Sequence, residues 1–306
     1  MGRSKEKDWI VDEQTLEANE RPILNLTSPR QVSQVLAKHG MSAKKSLGQN
    51  FLVDANILRK IVRAADLRKS DIVLEVGAGL GALTSALAEK AGRVVSVEAD
   101  RGLASVLAEV LAGKDNVEIV FDDILKVRVE EVVPSNGHTP KVVANLPYYI
   151  TTPVLFHLLE AKINWEVLVF LIQKEVAERV VSAPGSKAYG ALSVMVQHQA
   201  EAEIMGVIPP TVFLPRPKVY SAILRLKPKK NSYPKEVEQV FRILVKAAFG
   251  QRRKNLYNSL RGVFSELGGE ARVKRALHAL NIEENSRGET LSPELFFALA
   301  SFLVEA

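Results

Sequence analysis

The stretch Ile72-Val73-Leu74-Glu75-Val76-Gly77-Ala78-Gly79-Leu80-Gly81-Ala82 decides the fold. Its first five residues are rich in apolar and β-branched side chains and lack a two-residue alternation, the pattern of a strand buried on both faces. Glycines at three alternate positions then permit backbone conformations closed to other residues, so the chain can turn sharply and approach a ligand closely. From Ala82 to Ala91 the apolar positions recur at helical spacing. A strand, a glycine turn and a helix in that order are the first part of a βαβ unit, with the turn at the carboxyl edge of the sheet, where such folds bind nucleotides. Read as Gly77, Gly79 and Ala82, the turn also fits a dinucleotide fingerprint. Taken alone it does not separate NAD from other adenosine-bearing cofactors.

The same alternation continues outward. Val94–Val97, Val117–Phe121, Val142–Ala144 and Val167–Ile172 read as further strands, and Gly102–Leu111 and Pro153–Ala161 as helices between them, which predicts a doubly wound α/β sheet. Three strand ends carry polar groups suited to a nucleoside. Glu98, 21 residues after Gly77, is placed to accept hydrogen bonds from both hydroxyls of a ribose. In Phe121-Asp122-Asp123-Ile124 an acid can accept from the exocyclic amine of an adenine. Asn145-Leu146-Pro147-Tyr148-Tyr149 offers an amide, a backbone carbonyl and an aromatic ring to a planar nitrogen heterocycle.

On the amino-terminal side, residues 1–27 are polar and aperiodic. A short helix follows, with Ser28 as N-cap, Pro29 in its first turn, Val32, Val35 and Leu36 on one face and Gly40 as its stop. On the other side, beyond Ala183-Pro184-Gly185, a helix is predicted around Leu192–Gln199 and strands at Glu203–Val207 and Ser221–Leu226. Between those strands four prolines within residues 209–217 predict a rigid, irregular loop. Pro228–Pro234 reads as a linker, and Val237–Leu303 has helical period throughout. The organisation expected is an extension with a short helix at 1–40, a cofactor-binding domain at 41–228 and a helical domain at 229–306.

Composition narrows the functions. Of 306 residues, 47% are apolar and 25% charged, which excludes disordered and fibrous classes. The absence of cysteine excludes disulfides, thiolate metal sites and cysteine nucleophiles, and suits a cytoplasmic enzyme. The longest apolar run, Val167–Ile172, is far short of the roughly 20 residues that span a bilayer, and no secretory leader is expected in the first twenty residues. The five histidines show no ligand spacing, so no metal is expected. The net charge is +6, and residues 228–306 hold 13 basic against 9 acidic side chains, the place to look for a phosphate-backbone site.

Six motifs together carry a resemblance. They are Lys45-Ser46-Leu47-Gly48-Gln49-Asn50-Phe51-Leu52, the glycine turn, Asn145-Leu146-Pro147-Tyr148, Phe213-Leu214-Pro215-Arg216-Pro217-Lys218-Val219-Tyr220-Ser221, Ala248-Phe249-Gly250-Gln251-Arg252-Arg253-Lys254 and Arg287-Gly288-Glu289-Thr290-Leu291-Ser292. In this order they resemble the rRNA adenine N6,N6-dimethyltransferases, the KsgA (RsmA) family, from about Lys44 to Leu303. One departure is Asp122, where the family often has Gly or Gln.

The resemblance implies a class I, Rossmann-like fold using S-adenosylmethionine, with a small all-α C-terminal domain. Asn50 and Leu52 would line the methionine end of the cofactor, Gly77 and Gly79 the turn beneath it. Glu98 would hold the ribose and Asp123 the adenine amine, with Asn145 between cofactor and target base. The exocyclic nitrogen of adenine is a poor nucleophile because its lone pair is delocalised. Hydrogen bonds to the Asn145 oxygen and to the Leu146 or Pro147 carbonyl would free that lone pair, so catalysis would rest on positioning and electrostatic fit. Tyr148 and Phe213 are candidates for a stacking clamp on the extruded base, unless Phe213 simply fills core. Arg252, Arg253 and Lys254 would grip RNA phosphates. The expected partner is small-subunit rRNA or an immature small ribosomal subunit, modified at two adjacent adenosines of a hairpin near the 3′ end by a monomeric enzyme. The readings weighed against it are an Erm-like methyltransferase of large-subunit rRNA, an NAD-dependent oxidoreductase and a non-enzymatic assembly factor.

Overall fold

The computed structural model describes residues 26–44, 48–133, 139–230, 233–251 and 254–305. The amino-terminal elements are α1 (Pro29–Lys38), the two-residue strand β1 (Phe51–Leu52) and α2 (Ala55–Ala64). The expected alternation follows as β2 (Ile72–Val76), α3 (Ala82–Ala88), β3 (Arg93–Val97), α4 (Ala104–Val110), β4 (Val117–Val120), the single turn α5 (Val129–Val132), β5 (Lys141–Asn145), α6 (Thr151–Leu159) and β6 (Leu168–Gln173). Then come α7 (Lys174–Val181), α8 (Ala191–Gln199), β7 (Ala200–Ile208), β8 (Phe213–Leu214) and β9 (Ser221–Pro228). Four helices close the chain: α9 (Lys235–Gly250), α10 (Leu256–Leu260), α11 (Glu270–Ala279) and α12 (Pro293–Glu305).

The main sheet has the order β4-β3-β2-β5-β6-β9-β7. The strands from β4 to β6 are parallel, and β9 and β7 pair antiparallel at one edge. The chain winds outward from β2 to β4, then returns to the other side of β2 for β5. The direction of winding therefore switches between β2 and β5, and their carboxyl ends splay apart into a crevice, the usual ligand position of an open α/β sheet. This puts the glycine turn after β2 opposite the Asn145 motif at the end of β5.

The uninterrupted apolar runs have a direct structural cause. Leu74 and Val76 of β2 enter one buried cluster with Val142, Leu155 and Phe170, whereas Val73 enters a second with Ile61, Leu87 and Val143 on the opposite face. A third cluster joins α1, through Val32 and Val35, to Ala78 and Leu80 of the glycine turn. Helices α9 to α12 pack around a fourth, centred on Phe241, Leu244 and Phe296, which also takes in Tyr189 and Val194. Burial of this kind contributes about 1.5–3 kcal/mol per large apolar side chain.

One feature departs from the sequence reading. The proline-rich segment is not wholly irregular, because it contains a 3-10 turn, Pro210–Val212, and the strand β8, which pairs antiparallel with β1 in the register Leu52↔Phe213. Lys141, the first residue of β5, is fully buried: its Nζ donates to the Asp66 carbonyl at 2.6 Å and pairs with Asp71 Oδ2 at 2.8 Å and Glu166 Oε1 at 3.5 Å.

Candidate active site

The glycine turn is built on backbone that other residues rarely adopt. Gly77, Gly79 and Gly81 have φ of 81°, 56° and 87°. Gly77 N donates to Val97 O at 2.8 Å, which ties the turn to the end of β3, and Gly79 N donates to Glu98 Oε2 at 2.9 Å. Glu98 Oε1 accepts from Asp100 N at 2.8 Å. Burial raises the Glu98 pKa, the two backbone donors pull it back, and the charge of Asp100 raises it again, leaving it above the usual carboxylate range. Each oxygen has used one lone pair on the protein and keeps another for a ligand.

Asp100 ties down the segment that leads into β1. Its Oδ1 accepts from Lys44 Nζ at 2.7 Å and its Oδ2 from Gln49 Nε2 at 3.1 Å. Burial opposes its charge, but Lys44, Gly102 N and Gln49 hold its carboxyl below the ordinary value. Beneath the turn, Glu75 is buried among strand residues. Burial pushes its pKa to about 7, against a lowering by the nearby Thr84 and Ser96 hydroxyls and a small rise from Glu98. Neither hydroxyl reaches hydrogen-bond geometry with it, and both carboxyl oxygens lack a partner. Geometry therefore favours the neutral acid below pH 7.

Across the crevice, Asn145 Nδ2 donates to the Asn50 carbonyl at 3.2 Å. A carbonyl accepts only from the nitrogen end of an amide, so Oδ1 is left as an acceptor at the cavity. Leu146 N donates to Leu171 O at 3.1 Å, which anchors the motif to β6. The Pro147 carbonyl accepts from Ile150 N and Thr151 Oγ1, both at 3.3 Å, whereas the Leu146 carbonyl has no such partner among the described residues. Tyr148 Oη and Ser221 Oγ are 2.7 Å apart, and burial raises the Tyr148 pKa despite that bond.

One cavity of about 300 Å³ is lined by Asn50, Leu52, Gly77, Gly79, Glu98, Asp123, Asn145, Leu146, Pro147 and Tyr148, so residues from five chain segments meet in one place. Phe213 is not among them. Paired with Leu52 in the β1–β8 ladder, it is 2% exposed and packs in the cluster with Ile57 and Val169, so the core-filling alternative describes its position here. Arg252 and Arg253 lie outside the described residues, and Lys254 is exposed beyond α9. Leu26, Val32, Gln49 and Tyr149 also line the cavity, a role the sequence reading does not assign to them. The apolar face of α1 was the available signal for Val32.

The residues fit an adenosine-bearing cofactor. The glycine turn leaves open space, since a Cβ on Gly77 would meet nothing closer than Asn145 O at 3.9 Å. Glu98 retains acceptor capacity, and Asp123 Oδ1 accepts from Leu125 N at 3.1 Å, which leaves Oδ2 for an amine. Apolar Phe51, Ile124 and Leu125 wall the cavity.

Solved structures define the class of protein. The dimethyladenosine transferase of Plasmodium falciparum aligns with a TM-score of 0.67 and 27% identity, over 81% of this chain and 95% of its own. The 23S rRNA methyltransferase ErmE aligns with a TM-score of 0.65 and 29% identity, over 84% of this chain and all of its own (100%). The fold is that of a Rossmann-like methyltransferase. The family described as ribosomal RNA adenine dimethylase matches residues 40–305. The ribosomal RNA small subunit methyltransferase A of Ligilactobacillus salivarius is 44% identical over 94% of this chain and 98% of its own. The chain belongs to the ribosomal RNA adenine dimethylase family.

Proposed function

We propose that this chain dimethylates N6 of two adjacent adenosines in a hairpin near the 3′ end of small-subunit rRNA, acting in the cytoplasm during assembly of the small ribosomal subunit. The observation that carries the chemistry is the oriented amide of Asn145, whose Oδ1 stands free across the crevice from the glycine turn. What S-adenosylmethionine supplies when bound is a methyl group on a cationic sulfur, ready for transfer to nitrogen. Glu98 accepts the ribose hydroxyls and Asp123 the adenine amine, while Asn50 and Leu52 line the methionine end.

Asn145 Oδ1 and the Leu146 carbonyl accept the two N6–H bonds of the unmodified base, which localises the nitrogen lone pair; each methyl transferred replaces one of these hydrogens, which leaves as a proton to solvent, so the second transfer proceeds with a single N6–H bond. Leu146 takes this role rather than Pro147 because the Pro147 carbonyl is already engaged twice. The Tyr148 ring, held by Ser221, stacks on the extruded base.

A groove of about 550 Å³ between α6, α7, α8 and α9 is lined by Arg179, Arg242 and Lys246, with Glu160 pairing Arg242 at 2.5 Å. Arg242 and Lys246, with Lys254 and its sequence neighbours Arg252 and Arg253, supply phosphate contacts from the helical domain, residues 229–306, and Arg179 adds one from α7. The large-subunit reading shares the fold but stands further off in sequence, at 29% identity against 44%. The test is methyl transfer from labelled cofactor to immature small subunits, naked rRNA and large subunits, followed by mapping of the modified bases. Dimethylated adenosines confined to small-subunit rRNA are expected. Labelling confined to large-subunit rRNA, or to none, overturns the reading.

A further inference from the structure

Seven large hydrophobic side chains are exposed among the described residues, three of them, Met205, Val207 and Val304, on β7 and α12. The other four are Leu125, Tyr149, Val219 and Tyr220, the two tyrosines exposed most of all, at 61% and 55%. Leu125 and Tyr149 line the mouth of the cavity. Tyr149 is backed by the glycine of the preceding motif: a Cβ on Gly48 would lie 3.1 Å from Tyr149 Cδ1, so that approach of ring to backbone depends on glycine. Tyr220 immediately precedes Ser221, whose hydroxyl meets that of Tyr148. Its backbone is pinned at the carboxyl end of β6, where its carbonyl accepts from Lys174 N at 2.9 Å. The two exposed tyrosines thus sit one residue to either side of the Tyr148–Ser221 contact, on rigid backbone.

The charges on the segment that carries Tyr220 are of one sign. The segment 209–220 contains Arg216 and Lys218, both exposed, and no acidic residue. Exposed rings beside unpaired cations suit unstacked nucleotides, because every base offers a face to an aromatic ring and every phosphate a charge to a cation. A base drawn out of its helix also unstacks the nucleotide next to it, which then needs a surface of its own.

We infer that Tyr149 and Tyr220, with Arg216 and Lys218, form a docking rim for the RNA nucleotides that flank the target adenine, the bases on the tyrosine rings and the phosphates on the two cations. This rests on the rRNA methyltransferase reading above and adds to it a means of holding the second adenosine while the first is in the cavity.

The test uses the full chain and immature small subunits. Wild-type transfer is measured first: without it the underlying reading falls, and the rim with it. With it, the rim is judged by its variants alone. Tyr149→Ala and Tyr220→Ala should each raise KM for subunits roughly 5- to 150-fold, the worth of one stacked base, with the loss falling on KM more than on kcat. Tyr149→Phe and Tyr220→Phe should restore it, since the ring rather than the hydroxyl is what stacks. Arg216→Ala with Lys218→Ala should reduce the slope of log KM against log salt by about two, one per phosphate. Far-UV circular dichroism on every variant, and cofactor Kd by calorimetry on the Tyr220, Arg216 and Lys218 variants, should match wild type and so establish an intact fold. Alanine variants with wild-type KM, or phenylalanine variants as impaired as alanine ones, overturn the rim, including the case in which a protein partner uses this surface.

Discussion

Asn145 and Asn50 lie 95 positions apart in sequence, yet the side-chain amide of the first donates to the backbone carbonyl of the second at 3.2 Å. That one bond orients the amide and leaves its oxygen at the cavity. It also ties the segment before β1 to the cavity, and the same segment is held by Lys44 and Gln49 on Asp100. Asn145→Ala should lower methyl transfer at least about 100-fold, the scale seen when one oriented polar group is removed from a reacting centre. Asn145→Asp should fail similarly, since its carboxylate would face the Asn50 carbonyl without a proton to donate. Transfer assays with cofactor affinity measured in parallel check this, and a large loss of cofactor binding would move Asn145 out of its role.

Tyr148 offers a ring and a hydroxyl that can be separated. Tyr148→Phe removes the contact with Ser221 Oγ and keeps the ring, so transfer should fall about 2- to 10-fold, the worth of one neutral hydrogen bond. Tyr148→Ala also removes the stacking surface and should cost a further factor of roughly 5 to 150. Equal losses in the two variants, measured as kcat/KM, would assign the whole effect to the hydroxyl.

Glu75 should make stability depend on pH. Its carboxyl has a folded-state pKa raised from 4.5 to about 7, so the neutral form's advantage is complete below about pH 4.5 and is lost as pH rises through 7. A shift of that size corresponds to about 3 kcal/mol. Glu75→Gln, which keeps the volume and cannot ionise, should therefore gain on wild type by up to about 3 kcal/mol between pH 4.5 and pH 8.5. Denaturant unfolding at several pH values measures this. Parallel stability curves for the two proteins would show that Glu75 does not titrate in that range.

Lys141 should matter to stability without touching the cavity. Lys141→Ala leaves Asp71 buried without its counter-ion and should cost about 3–5 kcal/mol. Lys141→Met combined with Asp71→Asn removes both charges and should recover much of that loss, because the expense lies in the orphaned charge rather than in the missing pair. Thermal and denaturant unfolding of the single and double variants decide it, and a double variant no more stable than the single would refute the account.

The parts of the protein legible in its sequence are those set by neighbours along the chain. Apolar runs without alternation marked β2, β3, β5 and β6, because strands covered on both faces have no face to leave polar, whereas β4 at the sheet edge keeps Glu118 exposed. Alternate glycines marked the turn, because only glycine occupies left-handed φ there freely. The strand-end positions of Glu98, Asp123 and Asn145 followed from the strands, and all three line the cavity.

What only the tertiary structure decided depends on contacts between distant segments. The pairing of β1 with β8 buries Phe213, and a ladder of two residues has no periodicity to betray it. The burial of Lys141 rests on Asp66 and Asp71, which a different strand order would carry elsewhere. The direction of the Asn145 amide is set by the Asn50 carbonyl from a distant segment. Local sequence determined the strands, the turn and the chemical groups at their ends. The order of strands across the sheet determined which of those groups face one another, because proximity in a fold is set by packing and not by position along the chain.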